Sequence, residues 1–201
     1  MKKLIIAILA AVVVGLLGVA PASAAAARNV TCDGVLAAGT YNNVFVAEGA
    51  DCYVGPEVTI EGNFFARQSP GTINVNTDIG HNFMVANATG SVTFGPEGCK
   101  VDPHVGNNLM IRDSANVAVC EATVDNNIVL SGNTGRLMLR DSVGCNNIRV
   151  VNNEIVRVKG NVYGVNLTVT GNDRWVQRVA PNNTKFAGNP QQCRKSIAPA
   201  A

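Results

Sequence analysis

The chain has 201 residues, with 16 Lys and Arg against 14 Asp and Glu, 47% hydrophobic residues and six cysteines. That length suits one domain with a sizeable core. The near-neutral charge argues against a nucleic-acid binder or a polybasic membrane-surface protein, both of which need a basic excess.

Residues 1–24 read as an export signal. Met1-Lys2-Lys3 is a short basic start, Leu4 to Ala20 is apolar and uncharged, and Pro21-Ala22-Ser23-Ala24 supplies a small-x-small cleavage pattern after Ala24. The apolar run is at the short limit for a membrane span and is followed at once by the cleavage pattern. No membrane span is therefore expected after cleavage, and the protein is expected to be secreted, either free or at the cell envelope. Losing Lys2 and Lys3 leaves 14 basic against 14 acidic residues, a formally neutral mature chain.

From there to residue 179 the chain repeats. An Asn-led unit recurs as Asn43-Val-Phe-Val46, Asn63-Phe-Phe-Ala66, Asn82-Phe-Met-Val85, Asn108-Leu-Met-Ile111, Asn127-Ile-Val-Leu130, Asn147-Ile-Arg-Val150 and Asn166-Leu-Thr-Val169. The intervals are 20, 19, 26, 19, 20 and 19 residues, and the long one holds an insertion around Pro96 to Pro103. A second short strand follows in most units, as in Ile73-Asn-Val75, Val92-Thr-Phe94, Val117-Ala-Val119, Leu137-Met-Leu139 and Val156-Arg-Val158. A third apolar position precedes the next Asn: Ile60, Ile79, Val105, Val124, Val143 and Val162, usually with a Gly after it (Gly80, Gly106, Gly144, Gly164). Segments this short, β-branched or aromatic and bounded by Gly and Asn, have strand chemistry. Alone they bury nothing, but stacked coil on coil they bury a continuous core. The expected fold is all-β, a single parallel β-helix of about seven coils over residues 25–179, with residues 180–201 as a C-terminal tail.

The leading asparagines Asn43, Asn63, Asn82, Asn108, Asn127, Asn147 and Asn166 are expected to form a ladder. Asn suits a bend, and its amide can satisfy the equivalent amide of the next coil. These Asn-led rungs with Gly-Asn bends resemble the right-handed parallel β-helix proteins, the architecture of pectate lyases and many bacterial surface proteins. The resemblance covers about residues 42–179 and implies architecture, not activity. A left-handed β-helix, with its six-residue period, does not fit the intervals.

Six cysteines in an exported chain suggest three disulfides. Cys32 and Cys52 each lie 11 residues before a leading Asn, so stacking places them one coil apart. Cys99 in the insertion is paired with Cys120, which leaves Cys145 and Cys193 to tie the tail back onto the coils. No C-x-x-C spacing points to a metal, and no metal or cofactor is expected.

In each strand the middle residue points outward. Phe45, Phe65, Met84, Met110 and Val129 then form an outward apolar stripe, followed by Arg149 and Thr168. The stripe is either a binding surface for a protein, a polysaccharide or a second copy, or a seam covered by the tail or the insertion. The second-strand face, Asn74, Thr93, Ala118, Met138 and Arg157, is mixed and singles out no chemistry.

Catalytic signals are sparse. Arg112-Asp113 and Arg140-Asp141 fall in different halves of their coils, and Asp113, Asp125 and Asp141 are scattered in register. His81 and His104 could approach across one coil gap, but a third metal ligand is missing. No phosphate loop and no G-x-S-x-G string occur, and ranks of outward Thr fit for binding ice are absent. Asn87-Ala-Thr89, Asn166-Leu-Thr168 and Asn182-Asn-Thr184 match glycosylation acceptors and are read as chance in a bacterial-type export context. The expected function is a secreted, non-enzymatic structural or binding protein. The alternative is a polysaccharide lyase or glycoside hydrolase built from Asp102, His104, Asp113 and Asp125.

Overall fold

The computed structural model describes residues 27–95, 102–176 and 183–197. The expected signal segment, Cys99 and most of the insertion lie outside the described residues.

The described chain is a parallel β-solenoid of about seven coils with three faces. The first face stacks Arg28–Cys32, Gly39–Val46, Phe64–Ala66, Phe83–Ala86, Leu109–Arg112, Ile128–Ser131, Asn147–Val151 and Asn166–Thr170. The second stacks Gly34–Val35, Cys52–Val54, Ile73–Val75, Val92–Phe94, Val117–Cys120, Arg136–Arg140, Ile155–Lys159 and Arg174–Val176. The third runs through His104–Val105, Thr123–Val124, Val143–Gly144, Val162–Tyr163 and Thr184–Lys185, with Ile60 and Ile79 bridged in before them. The last of these pairs parallel with Val162–Tyr163, so the stack reaches into the segment expected to be tail.

Inward residues form rows along the axis. Val44, Phe64, Phe83, Leu109, Ile128 and Ile148 make one such row, all fully buried. Phe83 stacks on Phe64 at 5.1 Å between ring centroids and meets Phe94 of the second face at 4.7 Å across the interior. The third-face row departs from the sequence reading. Val124 pairs with Gly144 and Gly144 with Tyr163, so Val143 and Val162 lie one position off the inward row. The row tolerates Gly144 because the side chains of Ile128 and Ile148 fill the space over it.

The leading Asn ladder forms as the spacing requires. Asn63 Nδ2 donates to Asn43 Oδ1 at 3.0 Å, and the same bond repeats through Asn82, Asn108, Asn127, Asn147 and Asn166. From Asn63 to Asn147 the backbone N–H donates to the same oxygen, which fixes the orientation of each amide. One rung precedes those expected: Asn43 donates to Asn29, only 14 residues upstream. A parallel outer column joins Asn107, Asn126 and Asn146.

The bends carry a second device. Where the first face turns to the second, every coil from the second onward has a residue at positive φ: Gly49, Ser69, Asn87, Asp113, Gly132, Asn152 and Gly171. Gly95, Glu121, Asp141 and Gly160 do the same after the second face. Gly, Asn and Asp, which make up most of these positions, tolerate the left-handed region best. The next residue then turns inward, which builds two further ladders inside the bends. Ser114, Asn133, Asn153 and Asn172 form one; Ser142, Asn161 and Asn183 form the other. Asn133, Asn153 and Asn161 are fully buried.

Two disulfides pair as expected. Cys32–Cys52 joins adjacent coils with Cα atoms 5.7 Å apart, and Cys145–Cys193 ties the tail to the sixth coil at 5.5 Å. Cys120 is disulfide-bonded as well, and the pairing expected for it, with Cys99, lies outside the described residues. Replacing Cys32 and Cys52 together by alanine should lower stability by about 3 kcal/mol, the chain-entropy value for a loop of this size. Thermal melts with the other bridges intact would check it; an unchanged midpoint would show that the terminal coil is held by its strand pairing alone.

The tail contains an element absent from the sequence reading, a helix over Pro190–Ile197. Asn189 caps it: its Oδ1 accepts from Gln192 N, and Gln192 Oε1 accepts from Asn189 N, a reciprocal capping box. No helix of the described residues is long and apolar enough to cross a membrane.

Candidate functional site

Charge is segregated by the architecture. The described strands contain no Asp or Glu, whereas Arg112, Arg136, Arg140, Arg149, Arg157 and Lys159 all lie in strands. Carboxylates collect at the bends, where Asp bonds local backbone and accepts left-handed angles. The described strand faces therefore carry cations without anions, and the carboxylates sit at the corners between them.

A groove of about 760 Å³ runs over four coils of the second face. Strand register aligns Thr93, Ala118, Met138 and Arg157 along its middle, and Arg136 with Ile155 along one margin. The depression arises because Ala118 contributes only a methyl group between longer neighbours. Ser91, Thr93 and Asn116 supply hydroxyl and amide groups at one end. Asn116 is held in place because its Oδ1 accepts from Arg136 N at 3.1 Å. The other two coils each add one apolar and one cationic group, Met138 with Arg136 and Ile155 with Arg157. Both arginines are exposed, and among the described residues neither faces a carboxylate partner. The sequence reading passed over this face because alternation shows which residues point out, not where a short one leaves a hollow.

The expected stripe is present in register: Phe45, Phe65, Met84, Met110 and Val129 neighbour one another in turn. Phe45 is 41% exposed, and the other four are half-buried. The described part of the tail does not cover them; it runs along the third face, where Phe186 N donates to Tyr163 O. The stripe is dressed by its own chain. Arg67 places its guanidinium 5.0 Å from the Phe65 ring centroid and Nη2 at 2.8 Å from Met84 Sδ, and Arg112 approaches Met110 Sδ at 3.7 Å. Phe45 and Phe65 stack on each other at 5.6 Å, so their flat faces are partly spent on one another.

The histidines do not meet. His81 sits in the outer bend column, its N–H donating to Gly62 O, while His104 Nε2 lies 2.8 Å from Asp125 Oδ1 on the third face. The His104 N–H donates to Asp78 Oδ1. Asp113 stands at the opposite end of its coil's first-face strand, with its carboxylate over Gly132. Of the constellation Asp102, His104, Asp113 and Asp125, Asp113 thus lies apart from the His104–Asp125 pair. Asp141 is likewise set in a bend, paired with Arg140 at 3.2 Å. Among the described residues no group of three His, Cys, Asp or Glu side chains could hold a metal ion.

His104 and Asp125 are about a quarter to a third exposed, where an ion pair contributes under about 1 kcal/mol. His104→Ala should accordingly shift the urea midpoint only slightly. A loss of several kcal/mol would show that the pair anchors the third face.

No family model, curated protein or solved structure matches this chain.

Proposed function

We propose that the protein is an exported, non-catalytic binding protein that takes a segment of acidic polysaccharide along the second-face groove. The observation that carries this reading is the pair of exposed guanidinium groups, Arg136 and Arg157, with no carboxylate partner among the described residues, in a groove that also offers hydroxyl, amide and apolar contacts. Arginine binds a carboxylate through two parallel hydrogen bonds, which gives geometry as well as charge. Ser91, Thr93 and Asn116 suit sugar hydroxyls, and Met138 and Ile155 suit the apolar face of a sugar ring. Four coils at ~4.8 Å spacing span a few sugar residues. The disulfides fit an oxidising, extracellular setting, and the N-terminal 24 residues supply the export signal.

Titration calorimetry with polygalacturonate against a neutral glucan is the test. Binding to the acidic polymer should weaken about tenfold or more in Arg157→Glu and in Arg136→Glu, corresponding to a lost charge-assisted pair of roughly 1.5–3 kcal/mol. It should also fall with added salt. Equal binding to the neutral glucan, or none to either polymer, would reject the reading.

The His104–Asp125 pair favours a second reading, an enzyme acting on the same polymer by general acid–base chemistry. The pair lies on the third face, away from the groove, which weighs against it. Release of unsaturated or reducing ends that disappears in Asp125→Asn would replace the first reading with this one.

A further inference from the structure

We propose that a second copy of this chain stacks head to tail on the first, continuing the solenoid from one molecule into the next. The leading ladder has a direction. Each Asn Oδ1 accepts from the coil that follows, so the N-terminal end finishes in an amide donor and the C-terminal end in a carbonyl acceptor. At the first rung Asn29 spends its Oδ1 on Asn43; at the last, Asn166 spends its Nδ2 on Asn147. Both are exposed, and among the described residues no bond reaches Asn29 Nδ2 or Asn166 Oδ1. The two free groups are complementary, and each is of the kind that every internal rung satisfies.

The backbone and the apolar rows agree with the amides. Arg28–Cys32 and Asn166–Thr170 are the outer strands of the first face, and Gly34–Val35 and Arg174–Val176 the outer strands of the second. All strands run in one direction, so the edge of one copy meets the opposite edge of the next in the parallel sense used inside the molecule. Placing Asn29 over Asn166 sets Val30 over Leu167 and Cys32 over Val169. Val30, Leu167 and Val169 belong to the inward rows but are only partly buried. A stacked copy would bury them as its own coils bury Ile128 or Ile148. The contact joins unlike ends, so it is heterologous and does not close on itself.

The experiment is sedimentation velocity on the purified protein over a wide concentration range. The wild type should form dimers and longer species as concentration rises. Asn29→Lys and Asn166→Lys each block one end, and each variant alone should stay monomeric. An equimolar mixture of the two should give dimers and nothing larger, because each variant retains one competent end. Circular dichroism melts establish that both variants are folded. A wild type that is monomeric up to its solubility limit would overturn the proposal. So would association that persists in both variants, or a mixture that behaves as the sum of two monomers.

Discussion

Replacing Asn153 by leucine is expected to destabilise the protein by about 4 kcal/mol, more than any replacement in the leading ladder, because several buried polar groups lose their partners at once. Asn153 is 1% exposed. Its Oδ1 accepts from Asn133 N at 3.0 Å and from Asn133 Nδ2 at 2.8 Å. Its Nδ2 lies within bonding distance of Asn172 Oδ1, Val151 O and Leu130 O. Leucine has similar volume but leaves Asn133 N without its Asn153 partner, strips Asn172 Oδ1 of its bond from Asn153 Nδ2, and leaves Asn133 Nδ2 only its longer bond to Ile111 O at 3.4 Å, in a bend that water does not reach. Each buried group that loses a partner costs about 1–3 kcal/mol, and three do so together. Asn127→Leu removes comparable bonds from a half-buried rung, where solvent replaces part of the loss, so its cost should be about 1–3 kcal/mol. Urea denaturation of both variants measures the difference. If Asn153→Leu lost no more than Asn127→Leu, the inner ladders would not be the stronger element.

Phe83→Ala should cost about 3–5 kcal/mol, the range for truncating a buried aromatic. Phe83 is fully buried between Phe64 and Phe94, so its removal breaks two ring contacts and leaves an apolar cavity in the axial row. The neighbouring residue is the control. Met84 points outward and half into solvent, and Met84→Ala should cost under about 1 kcal/mol, as surface changes do. The contrast tests register directly, because a one-residue slip would exchange the two roles. Comparable losses in both variants would mean that the first face is sealed by something lying over it.

Close approach sets a further limit on the architecture. A Cβ on Gly80 would run into the Glu61 carbonyl oxygen, and one on Gly106 into that of Gly80. These glycines permit the coil spacing at the bend that leads into the leading Asn.

The repeat was legible because one Asn and two inward apolar residues recur at nearly constant spacing, and stacking makes equal spacing equal position. The separations of the bonded asparagines, 20, 19, 26, 19, 20 and 19, are those of the chain itself. Coil number, strand direction, the outward stripe and the Cys32–Cys52 pairing follow from that one regularity. Gly-Asn and Asn-Asn doublets at 132–133, 152–153, 160–161 and 171–172 held the signal for the inner ladders. It is readable only once the first residue of each doublet is known to take a positive φ and turn the second inward.

What the chain could not show by itself depends on shape between coils. Gly144 and Tyr163, not Val143 and Val162, take the inward place because the stack keeps that place three residues before each leading Asn, whichever residue falls there. His104 finds Asp125 and not His81 because the contact runs diagonally across neighbouring coils. The groove exists because Ala118 is short between Thr93 and Met138 in adjacent coils. Periodicity determines which side chains face inward, since burial acts on every coil alike. Hollows, ion pairs and free ends are set by differences between neighbouring coils, and only the assembled stack brings those differences together.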